Sequence, residues 1–157
     1  MRNIRRLVDH NDLCTKLGQV SHPATGTALF GTYRELACFA AMLGFEQGRT
    51  KDLDGPVELF VDGRIFERSE TAVDVAYLIA LADSKSPDAL QNTEKAEEEL
   101  AKTFERYAAG GLEILKEWLA AEPSDPDGDK AVLTALNNGG YLNRAETLDD
   151  ALAHVVF

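Results

Sequence analysis

The 157-residue chain predicts a mostly α-helical, single compact domain with one small β-hairpin, on three observations. The first is a stretch from Asn92 to Ala121 with apolar residues at Leu100, Phe104, Tyr107, Leu115 and Trp118, the three- and four-residue steps of a one-sided helix. The second is a pair of shorter apolar helical runs, from Thr32 and from Thr71, with little to interrupt them. The third is that only residues 57–67 carry a convincing strand signal.

In chain order, Asp9 to Leu17 reads as a short helix stopped by Gly18, followed by a loop through Ser21-His-Pro-Ala-Thr-Gly. Thr32-Tyr-Arg-Glu35 is a capping box, and Leu36, Phe39, Ala40 and Leu43 follow it on one face. Gly44 is the expected left-handed stop of that helix, with Phe45 folded back against it. In Val57-Glu-Leu-Phe-Val-Asp62-Gly63-Arg-Ile-Phe-Glu67, Asp-Gly between two apolar runs predicts a type I′ hairpin turn. Thr71 to Ala82 is a second buried helix with Val75, Leu78, Ile79 and Ala82 as its main face. The long helix is expected to span the fold, about 40 Å at 1.5 Å per residue, with the other elements packed against it. A turn-rich segment follows, then a short helix at Lys130 to Leu136 and a last one capped by Thr147, carrying Leu148, Leu152 and Val155. Residues 1–121 are thus expected to form the helical core with its hairpin. Residues 122–157 form an acidic linker and C-terminal helices packed on the same domain.

The long helix contains Ala108-Ala109-Gly110-Gly111, a notch without bulky side chains. Each glycine costs a helix interior about 1 kcal/mol relative to alanine. The notch admits a closely approaching helix, marks a kink, or meets a ligand or partner. Its opposite face, including Glu98, Glu105, Glu113 and Glu117, reads as solvated.

A net charge of −11 is unevenly spread: residues 1–80 carry 9 basic and 11 acidic side chains, the remainder 7 and 16. The C-terminal half would repel nucleic acid. Arg2, Arg5 and Arg6 stand at the start with no acid among the first eight residues, a short arm that could touch phosphate or an acidic partner. A solvated terminus is the ordinary expectation for such an arm. No apolar run reaches the roughly eighteen residues of a membrane span. Cys14 and Cys38 lack metal-ligand spacing, and a reduced cytoplasmic setting follows.

Chemistry-bearing motifs are few. Gly26-Thr-Ala-Leu-Phe-Gly31-Thr32 has phosphate-loop spacing but no lysine and no preceding strand. Asp125-Pro-Asp127-Gly-Asp129 imitates a calcium loop with its glycine misplaced. His10 and Cys14, four apart, would form an acid–base or thiolate pair only in a shared cleft. His22 and His154 complete no zinc spacing. The expectation is no catalytic residue, no metal and no cofactor, hence no enzyme.

Two stretches carry a resemblance. Thr32-Tyr33-Arg-Glu-Leu-Ala-Cys-Phe-Ala-Ala-Met-Leu-Gly44-Phe45-Glu-Gln-Gly48-Arg49 and Phe104-Glu-Arg-Tyr107-Ala-Ala-Gly-Gly111-Leu112 stand with Leu78-Ile-Ala-Leu-Ala-Asp83 between them. Together they resemble the DNA phosphorothioation-associated family of the fourth type, over about residues 5–120. The resemblance implies a cytoplasmic accessory of a bacterial modification, restriction and phage-defence locus, with protein components of that system as partners. DNA contact through the N-terminal arm is the alternative, with Arg34, Arg49 and Arg64 in the same half. Candidate interaction residues are Arg2, Arg5, Arg6, Arg49, Gly110 and Gly111.

Overall fold

The computed structural model describes residues 1–142. They form strand β1 (Ile4–Leu7), helices α1 (Asn11–Gly18) and α2 (Tyr33–Glu46), strand β2 (Val57–Val61), and helices α3 (Gly63–Glu67), α4 (Glu70–Ser84), α5 (Glu94–Ala121) and α6 (Asp129–Asn138). Short 3-10 turns stand at Val8–His10 and Pro87–Leu90. The class is mostly α, as expected, with one two-stranded antiparallel sheet. The helix expected from Thr147, with Leu148, Leu152 and Val155, lies outside the described residues, as does His154.

Helix α5 is the axis. Thr93 caps it, its hydroxyl accepting from the Ala96 N–H at 3.2 Å. It runs unbroken for 28 residues, straight through Gly110-Gly111. Leu100, Phe104, Ala108, Leu112 and Leu115 are buried along one side, and Phe104 meets Phe66 of α3 edge to face at 5.1 Å. Helix α2 lies directly on this stripe. Its buried small residues include Ala37, Ala40, Ala41 and Gly44, and the two backbones come close enough that a Cβ at Gly44 or Gly111 would meet the other helix's carbonyls.

Gly44 is not the end of α2. The helix continues to Glu46, and the left-handed residue is Gly48, φ 62°. Arg49 N–H donates to the Gly44 carbonyl and Gly48 N–H to that of Phe45, the paired bonds of a Schellman end. Gly44 serves packing instead: a Cβ there would collide with the Tyr107 carbonyl of α5.

Residues 57–67 do not close into the expected hairpin. Strand β2 pairs antiparallel with β1, Ile4 opposite Val61 and Leu7 opposite Val57, and Gly63–Glu67 is helical. A type I′ turn needs positive φ at both central residues. Asp62 instead has φ −61° and caps α3, its Oδ1 accepting from the Arg64 N–H at 2.9 Å. Gly63 passes so close to the Met1 carbonyl that no side chain fits there. The N-terminal arm is therefore a strand, not a solvated tail.

The face of α4 is also rotated from expectation. Ala72, Ala76, Ile79 and Ala80 are buried, whereas Leu78 is 64% exposed. The small alanines let α4 settle beside its neighbours and leave the leucine outside. After α5, Asp125 caps α6: its carboxylate accepts from the Ala131 N–H at 2.9 Å, which holds its pKa below the ordinary value.

Candidate interaction site

The sequence placed Glu98, Glu105, Glu113 and Glu117 on a solvated face of α5. In the structure this row of carboxylates grips three separate segments. The arm comes first. Glu105, 2% exposed, accepts from Arg2 Nη1 at 2.6 Å, Arg2 Nη2 at 3.0 Å and the Arg5 backbone N–H at 2.8 Å. Arg5 Nε and Nη2 add bonds at 3.2 and 3.3 Å. Arg2 Nε donates to Glu98 at 2.7 Å, and these carboxylates hold the guanidinium above its ordinary pKa. The Met1 ammonium pairs with Glu67 of α3.

Arg6 is buried on the other side of β1. Its Nη1 donates to the Leu59 carbonyl at 2.6 Å and its Nε to Asn11 Oδ1 at 2.9 Å. The guanidinium lies 4.9 Å from the centre of the Tyr33 ring and 5.4 Å from that of Phe60.

A second grip holds the loop after α2. Arg49 makes a bidentate pair with Glu117 at 2.8 and 2.6 Å, exposed to solvent. Lys51 Nζ lies 2.8 Å from Glu113 Oε1, Lys51 N–H donates to the Arg106 carbonyl, and Arg106 reaches Asp52. Gly110 and Gly111 complete this region. A Cβ on Gly110 would enter the Arg49 carbonyl, and one on Gly111 would enter that of Ala40. The notch is filled from within the chain.

The third grip is His10, fully buried, with Nε2 2.6 Å from the same Glu113 oxygen and Nδ1 without a partner among the described residues. Burial lowers its pKa against the pull of Glu113, and Lys51 holds Glu113 down at about 2. Cys14, one turn on, is fully buried with its thiol pushed up to about 12. It stays protonated at neutral pH, and both side chains are closed off from solvent.

These shifts predict an acid response. The unfolded chain protonates histidine near 6.5, above the folded value, so stability falls as pH drops below about 6.5. Glu113 adds a second loss between 4.5 and about 2, because its folded carboxylate resists protonation. Urea melts from pH 8 to 3 should show both limbs; His10→Gln should abolish the upper one and leave the lower one reduced but present, because Lys51 is the larger cause of the Glu113 shift.

His22, Asp127 and Asp129 bring three ligand atoms within 4.8 Å of one another. The arrangement does not suit a metal. His22 Nδ1 accepts the Ala24 N–H at 3.0 Å, so Nε2 carries the ring proton and donates to Asp129 at 3.1 Å. The lone pair a cation would need is on the wrong nitrogen. The calcium-like loop is thus a capped turn hydrogen-bonded to a histidine.

Fold and site together define a helical domain whose ionised side chains tie an N-terminal strand and a loop to one central helix. Among the described residues no helix is long and apolar enough to cross a membrane. The family model described as DNA sulphur modification system-associated protein 4 matches residues 3–149, and the chain belongs to that family. No curated protein and no solved structure matches it.

The signal for Glu105 was present but indirect, and Glu113, which meets Lys51 and His10, had none. An arginine arm without acids of its own, in a chain with excess acid, must find counter-charges elsewhere. Which of the many glutamates supply them depends on where β1 docks.

Proposed function

We propose that this protein is a non-catalytic accessory component of a DNA phosphorothioation-linked modification and restriction system, serving phage defence by binding that system's protein components. Membership of a DNA sulphur modification-associated family is the observation that carries the reading. The placement of the ionisable groups supports it. Arg2, Arg5, His10, Lys51, Glu105 and Glu113 are spent on one another, holding segments to α5. The same placement weighs against DNA contact through the arm. Arg2 and Arg5 already face carboxylates and Arg6 is buried, so little free positive charge remains there to displace phosphate counterions.

The test is affinity purification of the tagged protein from cells carrying the whole locus. Recovery of stoichiometric modification or restriction subunits is expected. Repeated recovery of the tagged chain alone would overturn the reading. DNA binding that survives purification and weakens steeply with salt would favour the alternative.

A further inference from the structure

The outer surface between α2 and α4 carries an apolar stripe whose inner members, Cys38 and Val75, pack on the core and whose outer members, Met42, Phe45 and Leu78, are exposed. The two helices run side by side in the same direction. At one end Arg34 and Cys38 of α2 line a small pocket with Ser69 and Ala72 at the start of α4. At the other, Phe45 of α2 packs on the Tyr107 ring at 5.4 Å, and the Tyr107 hydroxyl donates to Asp83 near the end of α4 at 2.6 Å. Met42 and Phe45 follow Cys38 at steps of four and three along one side of α2, with Phe45 at the edge of that side that meets α5. Val75, Leu78 and Ala82 follow Thr71 at the equivalent steps on α4. Met42 is 46% exposed, Phe45 38% and Leu78 64%.

Charge around the stripe decides what can cover it. Helices α2 and α4 carry the acids Glu35, Glu46, Glu70, Asp74 and Asp83 against one basic residue, Arg34. Arg34 is turned onto the Ile65 carbonyl at 2.9 Å, and Asp83 is engaged by Tyr107. A second copy of this chain would set acid against acid across the seam, which costs association. An apolar ridge bordered by lysine or arginine satisfies both the stripe and its rim, and a helix laid between two helices supplies that shape.

We propose that the α2–α4 stripe docks an amphipathic helix of another protein, apolar along one edge and basic beside it. This rests on the accessory reading above and assigns the surface that performs it. The tagged protein is expressed with its locus in four forms: wild type, Met42→Ser with Leu78→Ser, Glu46→Lys with Asp74→Lys, and Leu78→p-benzoylphenylalanine. Each pair changes exposed side chains, so melting temperature should stay within about 2 °C of wild type. Recovery of the partner subunit should fall about tenfold or more in both pairs. Irradiation of the photoreactive form should join position 78 to a partner peptide with apolar helical periodicity and flanking basic residues.

If wild type recovers no subunit, the accessory reading and this surface fall together. If wild type and both pairs recover it equally, the surface is wrong and the reading stands. Loss in the serine pair alone would refute the basic border. A cross-link to a second copy, or to a peptide without basic residues, would overturn the proposed occupant.

Discussion

Gly111→Leu is expected to lower the melting temperature by about 4–8 °C, a net of about 2 kcal/mol left from about 3 kcal/mol of overpacking in a chain of this size. The cause is steric. Any Cβ at position 111 enters the Ala40 carbonyl, a backbone group that cannot rotate away, and α2 must lift from α5. Relief of the helix-interior glycine is worth only about 1 kcal/mol and is outweighed. Gly55→Ala is the control, since a Cβ there finds only a Leu7 methyl at 3.8 Å, and its melting temperature should hold or rise slightly. A stabilised Gly111 variant would mean that the notch is open, and would return Gly110 and Gly111 to the interaction surface and add Tyr107 to it.

Glu105→Ala should cost about 2–4 kcal/mol. Removing one member of a buried ion pair typically costs about 3–5 kcal/mol. Here the penalty is reduced because the Arg2 and Arg5 side chains keep 27% and 43% of their exposure and can turn toward water. The backbone cannot turn so easily. The Arg5 N–H donates to Glu105, so its amide exchange should accelerate in the variant along with that of β1. Glu105→Gln, which keeps the shape and loses the charge, should fall between the two. A loss below about 1 kcal/mol in the alanine variant, with Arg5 exchange unchanged, would show that β1 is held by its apolar side chains alone.

Local chemistry was legible wherever it acts within a few residues. The long helix and its buried stripe follow from the spacing of Leu100, Phe104, Leu112 and Leu115, and the Thr32 cap from Glu35 three positions on. The His10–Cys14 pair was legible as a four-residue spacing, but the sequence could not say that both side chains are buried. The misreadings have a common source. Gly44 has the right residue type for a stop, Asp62-Gly63 for a turn and Leu78 for a core. At Gly44 and Gly63 the backbone of a distant segment takes the space, and at Leu78 the alanines of α4 form the buried face instead.

The sequence by itself therefore determined the helical class, the central element and the presence of a small-residue notch, because periodicity and capping are properties of neighbours along one chain. Tertiary structure alone decided what fills the notch, which strand pairs with β2, and which glutamates are counter-ions. Those outcomes depend on contacts such as Arg2 with Glu105, 103 residues apart, or Ala40 against Gly111. A carboxylate looks alike in sequence whether it faces water or a guanidinium. Only docking β1 against α5 turned one glutamate in an acidic row into the buried anchor of the N-terminus.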